Sequence, residues 1–189
     1  LEQYMTYPMG GLLQDRFAEG ILQTLIEIAP VVMKDSSDYK AASNFMWSCT
    51  MALNGLISKG VPEDWATHMM GHELTALFGI DHARTLAILA PNHFLYNFEA
   101  KKAKLAQYAE RVWNVTEGDE DQKAKVGIKK TEEFFHSLGI KTKLSEYTDN
   151  YEGVAEEIAK RFTDRKWFGL GENRSLKPED VKKIVEMSY

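Results

Sequence analysis

Apolar residues recur at intervals of three or four along almost the whole chain of 189 residues. Phe17, Ile21, Leu25 and Ile28 illustrate the pattern, which places their side chains on one face of a helix. Residues 140–144 alternate between apolar and polar side chains instead, but this segment is short and isolated, so we interpret it as an extended linker. The periodicity therefore predicts an all-α fold, organised as one helical domain over residues 1–189.

Local signals indicate where the helices begin and end. A helix with Phe45, Cys49, Ala52 and Leu56 on its apolar face should end at Gly60, and we expect Cys49 to be a small core residue. The remaining helices are predicted over about residues 11–34, 62–78, 81–98, 101–113, 120–138, 151–164 and 178–187.

Composition excludes several classes of protein. With 44% hydrophobic residues the chain is too apolar to be disordered, and a net charge of −5 without a basic stripe disfavours a nucleic-acid partner. The single cysteine excludes an internal disulfide framework and a four-cysteine zinc site. Because the chain lacks a run of about 18 apolar residues, we expect no membrane partner.

The first residues read like the interior of a helix. Residues 1–5 carry no capping residue ahead of them and no initiator methionine. We therefore expect the sequence to begin inside a longer protein, in which case the absence of a signal peptide has no meaning.

His68, His72 and His82 are the strongest candidates for chemistry. His68 and His72 are four residues apart and share one helix face, and the break at Gly79 allows His82 to turn back toward them. Facing helices can hold a metal in this way, although three ordinary surface or hydrogen-bonded histidines would give the same pattern. The spacing alone would make His68 and His72 the pair of metal ligands.

Two familiar motifs are incomplete. A zinc-protease motif beginning at His72 and Glu73 would need a second histidine at position 76, where the chain has Ala76. Residues 169–173 contain two glycines of a dinucleotide-binding loop but lack the third and a preceding strand, so we interpret them as a turn.

Residues 65–85 closely resemble a signature of the iron-containing alcohol dehydrogenases. They read Trp-Ala-Thr-His-Met-Met-Gly-His-Glu-Leu-Thr-Ala-Leu-Phe-Gly-Ile-Asp-His-Ala-Arg-Thr. Further segments are similar to the branch of NADPH-dependent butanol dehydrogenases and broad aldehyde reductases, namely residues 2–4, 15–20, 60–65, 106–114 and 170–173. The resemblance implies the C-terminal helical domain of a two-domain enzyme, whose dinucleotide-binding α/β domain would precede this chain.

The resemblance also implies roles for the three histidines. His68 and His82 match two of the family's four metal ligands, and His72 matches a catalytic residue beside the metal that hydrogen-bonds the substrate oxygen or transfers its proton. The other two ligands, an Asp and a His, would fall just upstream of Leu1. The metal would be Fe²⁺ or Zn²⁺, weakly held or absent in this fragment, and the complete enzyme would use NADP(H); no cofactor-binding residue is assigned.

An enzyme of this class would transfer hydride between NAD(P)H and a primary alcohol or aldehyde. We expect it to be cytoplasmic and homo-oligomeric, and we expect the isolated chain to be inactive. The alternatives are a related glycerol-type dehydrogenase or dehydroquinate-synthase-like lyase, and a non-enzymatic helical interaction module.

Overall fold

The structure, a computed structural model, describes residues 1–6 and 10–189. Over these residues it is entirely helical apart from turns, a 3₁₀ segment at Leu144–Glu146 and one isolated bridge between Leu170 and Leu176, which confirms the all-α prediction. The helices are α1 Leu12–Lys34, α2 Tyr39–Leu53, α3 Ala66–Phe78, α4 His82–Tyr96, α5 Phe98–Trp113, α6 Glu120–Ser137, α7 Val154–Asp164 and α8 Pro178–Met187.

The described chain divides into two compact units. The first comprises Leu1, Gln3–Glu63 and Ala100–Lys130, and the second comprises Glu2, Asp64–Glu99 and Thr131–Tyr189. The assignment of residues 1–189 to a single domain stays a prediction.

In the first unit, α1 packs against α2, and a buried polar network centres on Glu19. The Tyr4 hydroxyl donates to Glu19 Oε1 at 2.9 Å, and Arg111 Nη1 lies 3.0 Å from the same oxygen. Burial, reinforced by Glu19, raises the pKa of Tyr4 far above its usual range, so this hydroxyl remains a donor. Lys104 Nζ donates to both carboxylate oxygens of Asp15 at 2.7 Å.

In the second unit, α4 packs against α3 and α8, and α7 packs against α8. The Tyr96 hydroxyl of α4 donates to Asp180 Oδ1 of α8 at 2.6 Å, a hydrogen bond that raises the pKa of Tyr96 to about 12. A continuous apolar core joins these helices, and its fully buried members include Met70, Leu74, Ile88, Leu89, Leu144, Ile158, Phe162 and Ile184.

Three local predictions are wrong. Residues 2–4 form a turn rather than a helix interior, with the amide of Met5 donating to the carbonyl of Leu1 at 3.0 Å. Cys49 is exposed, because α2 buries Ala41 and Ser48 instead. The same helix ends at Leu53 rather than at Gly60, which leaves the exposed Leu56 outside it. By contrast, residues 169–173 contain a turn as predicted, and residues 140–143 form no strand.

Glu73 joins α3 to α7. Its side chain is 5% exposed and forms ion pairs with Arg161, at 3.1 Å, and with Arg165. The carboxylate therefore points into the fold, consistent with the incomplete protease motif. In the described part of the chain, no helix is both long and apolar enough to cross a membrane.

We predict that Glu73→Gln lowers the free energy of unfolding by about 2 kcal/mol, because hydrogen bonds to charged partners contribute about 1.5–3 kcal/mol. Glu157→Gln is the matched control, since the 52% exposed Glu157 also pairs with Arg161 but should cost only about 0.5 kcal/mol. Urea unfolding of both variants measures the difference. Equal losses would contradict a structural role specific to Glu73.

Candidate functional site

Two buried carboxylates set the start of α3. Asp64 Oδ1 accepts the amide of Ala66 at 2.9 Å, and Glu2 Oε1 accepts the amide of Thr67 at 2.6 Å. These amides have no acceptor within the helix, and negative charge is favourable at a helix N-terminus. The helix consequently begins at Ala66, four residues later than the predicted start at 62.

Gly79 ends α3 and allows the chain to reverse. Its φ of 67° lies in the left-handed region, which glycine adopts without steric cost, and its amide donates to the carbonyl of Thr75 at 2.8 Å. After this reversal α4 begins at His82 and packs along α3.

The two helices lie close together at Gly71. A Cβ atom built there would lie 2.9 Å from Thr85 Oγ1 and 3.1 Å from Leu86 Cδ2, closer than normal contact. Thr85 is fully buried, so its side chain has little room to move away. The absence of a side chain at position 71 therefore permits the spacing of α3 and α4.

This spacing brings the three candidate histidines, His68, His72 and His82, together. The rings of His72 and His82 stack in parallel, with centroids 4.1 Å apart and planes inclined by 5°. The His68 ring meets the His82 ring edge-on, with centroids 5.3 Å apart. His82 thus turns back onto both residues of α3, as the break at Gly79 allowed, although the spacing along the chain had paired His68 with His72.

His82 has an uncommitted nitrogen. Its Nε2 atom is buried without a hydrogen-bond partner among the residues that the structure describes. Burial, with smaller contributions from His72 and His68, lowers the pKa of His82, so its imidazole is neutral at pH 7. A neutral imidazole with an unpaired nitrogen is a chemically suitable metal ligand.

His68 and His72 have different surroundings. His68 Nδ1 contacts Glu2 Oε2, which leaves Nε2 for another partner, and the Trp65 ring lies 5.2 Å from the His68 ring. His72 is exposed. The donor set of His68 and His82 therefore fits part of a divalent metal site, with His72 open to solvent beside it.

Sequence reasoning missed a role for three buried residues near this site. Glu2, Asp64 and His93 bring ligand-type atoms within 4.8 Å of one another, and His93 Nδ1 lies 2.8 Å from Thr67 Oγ1. His93 is fully buried. Glu2 and His68 are 66 positions apart, so no local pattern could have paired them.

Known proteins match this chain along almost its whole length. The family model for the C-terminal part of the Fe-containing alcohol dehydrogenase family matches residues 1–189. NADPH-dependent aldehyde reductase YqhD of Escherichia coli (strain K12) is 47% identical over 186 residues, covering 98% of this chain and 48% of the relative. NADH-dependent butanol dehydrogenase A of Clostridium acetobutylicum is 36% identical over 190 residues, covering 100% of this chain and 49% of the relative.

A solved structure has the same fold. The substrate- and cofactor-free form of the aldehyde reductase YqhD from E. coli superposes with a TM-score of 0.95 at 46% identity, covering 100% of this chain and 49% of that chain. The chain therefore spans about half the length of the curated relatives it matches.

We predict that Gly71→Ala lowers the free energy of unfolding by about 1–3 kcal/mol, the usual cost of overpacking, and disturbs the histidine rings. Gly20→Ala in α1 is the matched control, because a Cβ there meets no atom within 4 Å and alanine favours the helix by about 1 kcal/mol. Urea unfolding and the imidazole NMR signals measure the two effects. If Gly71→Ala stabilised the fold and left the imidazole NMR signals unchanged, the close approach of α3 and α4 at position 71 would be contradicted.

Proposed function

This chain belongs to the iron-containing alcohol dehydrogenase family, and we propose that it supplies the metal-holding and substrate-facing part of an alcohol dehydrogenase or aldehyde reductase. The complete enzyme transfers hydride between NAD(P)H and a primary alcohol or aldehyde. The observation that carries this proposal is the group of three contacting histidine rings, in which the buried Nε2 of His82 is unpartnered.

His68 and His82 are the metal ligands in this proposal. Each comes from a different helix, and the close approach of α3 and α4 fixes their separation. The family resemblance implies two further ligands, an Asp and a His. When bound, a divalent ion, Fe²⁺ or Zn²⁺, acts as a Lewis acid that polarises the substrate oxygen and favours hydride transfer to or from the nicotinamide.

His72 is the catalytic residue in this proposal. Its exposed ring is stacked on His82, so it can reach a substrate oxygen held beside the ligands. An imidazole there can donate a hydrogen bond to that oxygen and transfer a proton between it and solvent. Trp65, 42% exposed and in contact with the His68 ring, can shield one side of the substrate from water.

The relatives support an alcohol or aldehyde substrate over a glycerol-type substrate. We propose NADPH as the hydride carrier, since the 47% identical relative is named as NADPH-dependent and the 36% identical relative as NADH-dependent. A cytoplasmic, homo-oligomeric enzyme is proposed from the family resemblance alone.

We predict that His68→Ala and His82→Ala each weaken Co²⁺ binding by the chain by more than about 10-fold, since even the loss of an outer hydrogen-bond partner costs about 10- to 100-fold. His72→Ala should leave Co²⁺ binding unchanged. Equilibrium dialysis followed by elemental analysis gives the dissociation constants. His136→Ala is the control, because it removes an imidazole that bonds to Thr142 instead. Equal affinities in all variants would contradict the ligand assignment.

We predict that the chain alone does not reduce butanal with NADPH above a buffer control, whereas a fusion to the part of E. coli YqhD that it does not cover does. In the fusion, His72→Gln should lower kcat by about 100-fold, the lower range for lost acid–base catalysis. Activity is followed by the loss of NADPH absorbance. An inactive fusion that folds and holds metal would contradict the proposed function, and full activity of the His72→Gln fusion would contradict the role of His72.

A further inference from the structure

Glu2 contacts two consecutive residues of α3. Its side chain is buried; Oε1 accepts the amide of Thr67 at 2.6 Å, and Oε2 contacts Nδ1 of His68. A carboxylate offers only acceptors, so Nδ1 of His68 is the donor in this contact. Both oxygens of Glu2 are therefore committed to the first turn of α3.

Neighbouring groups restrict the Glu2 carboxylate. Asp64 accepts another amide of the same helix turn, and Thr67 Oγ1 lies 2.8 Å from Nδ1 of His93. The ligand-type atoms of Glu2, Asp64 and His93 all lie within 4.8 Å of one another, and all three residues are buried. Together with burial, these neighbours limit how far Glu2 can rotate away from His68.

The contact matters because an imidazole binds a metal through one nitrogen, and the hydrogen bond at the other nitrogen decides which. We propose that Glu2 is a positioning residue for His68: it holds the proton on Nδ1, fixes the ring orientation and leaves the Nε2 lone pair for the metal. The inference rests on the proposed function, since it concerns the same metal site.

His82 lacks an equivalent of this contact in the described part of the chain. Its Nδ1 lies 3.4 Å from Thr85 Oγ1, and that hydroxyl already donates to the carbonyl of His82 at 2.7 Å. A committed hydroxyl at this distance is a weaker partner than a carboxylate. Glu2 therefore acts on His68 specifically.

Glu2→Gln tests this role with almost no change in size. The amide offers one acceptor and one donor group, so it cannot accept from both Thr67 and His68. If the amide nitrogen faces His68, the favoured tautomer reverses and Nε2 carries the proton; if it faces Thr67, two donors oppose each other. The first arrangement satisfies both contacts and is therefore favoured, and it should weaken metal binding by about 10- to 100-fold, the usual cost of losing such a partner.

The first measurement is the tautomer of His68 in the metal-free full chain. Two-bond ¹⁵N–¹H correlation spectra at about pH 8.5, where ordinary imidazoles are neutral, distinguish a proton on Nδ1 from one on Nε2. We expect Nδ1–H in the unsubstituted chain and a shift toward Nε2–H in Glu2→Gln. A proton on Nε2 in the unsubstituted chain would overturn the proposal, whether or not the variant folds.

The second measurement is Co²⁺ affinity, followed through the broadening of the His82 imidazole signals. Asp64→Asn is the matched control, because it alters the other buried carboxylate at the start of α3, which accepts from Ala66. It should destabilise the helix without changing the tautomer of His68. Equal effects of Asp64→Asn and Glu2→Gln on tautomer and affinity would reduce Glu2 to a structural role and overturn the proposal.

His68→Ala separates this inference from the proposed function. If His68→Ala binds Co²⁺ as tightly as the unsubstituted chain, His68 is not a ligand and the proposed metal site itself is wrong. If His68→Ala weakens Co²⁺ binding but Glu2→Gln changes neither affinity nor tautomer, the metal site stands and only the role of Glu2 is wrong.

Discussion

The close contact between α3 and α4 is the constraint on which the candidate site depends. Position 71 has no side chain, and Thr85 fills the space that a Cβ would need. Since His68 and His72 are on one helix and His82 is on the other, the distance between the helix axes sets the distances between the rings. A wider spacing would leave the same three imidazoles on two separate surfaces.

Buried carboxylates complete this arrangement. Glu2 and Asp64 lie at the start of α3, where unpaired amides and the helix dipole offset the cost of burying negative charge. Glu73, further along the helix, is buried against Arg161 of α7 and against Arg165, which follows that helix. The acidic residue that follows His72 is therefore committed to the fold, and chemistry in this helix is left to the histidines.

The sequence indicated much of the site but paired its members differently. Helical spacing groups His68 with His72, whereas the structure stacks His72 on His82, because ring contacts depend on the facing helix as well as on the turn. The contribution of Glu2 had no local signal, since it meets His68 across 66 positions of the chain. The same limit applies to Cys49: periodicity identifies an apolar face, but the packing of α1 and α2 buries Ala41 and Ser48 instead.

The candidate ligands came from the family resemblance, whereas the sequence by itself determined the helical class and most helix limits. These features depend on short-range physics: side-chain periodicity, the left-handed backbone available to Gly79, and the first-turn proline Pro178 of α8. Only the tertiary structure decided which faces are buried, how closely α3 and α4 approach, and which carboxylate meets His68. Those outcomes depend on contacts between residues that are far apart in the chain. The spacing of residues within one helix does not indicate which distant residue will be in contact.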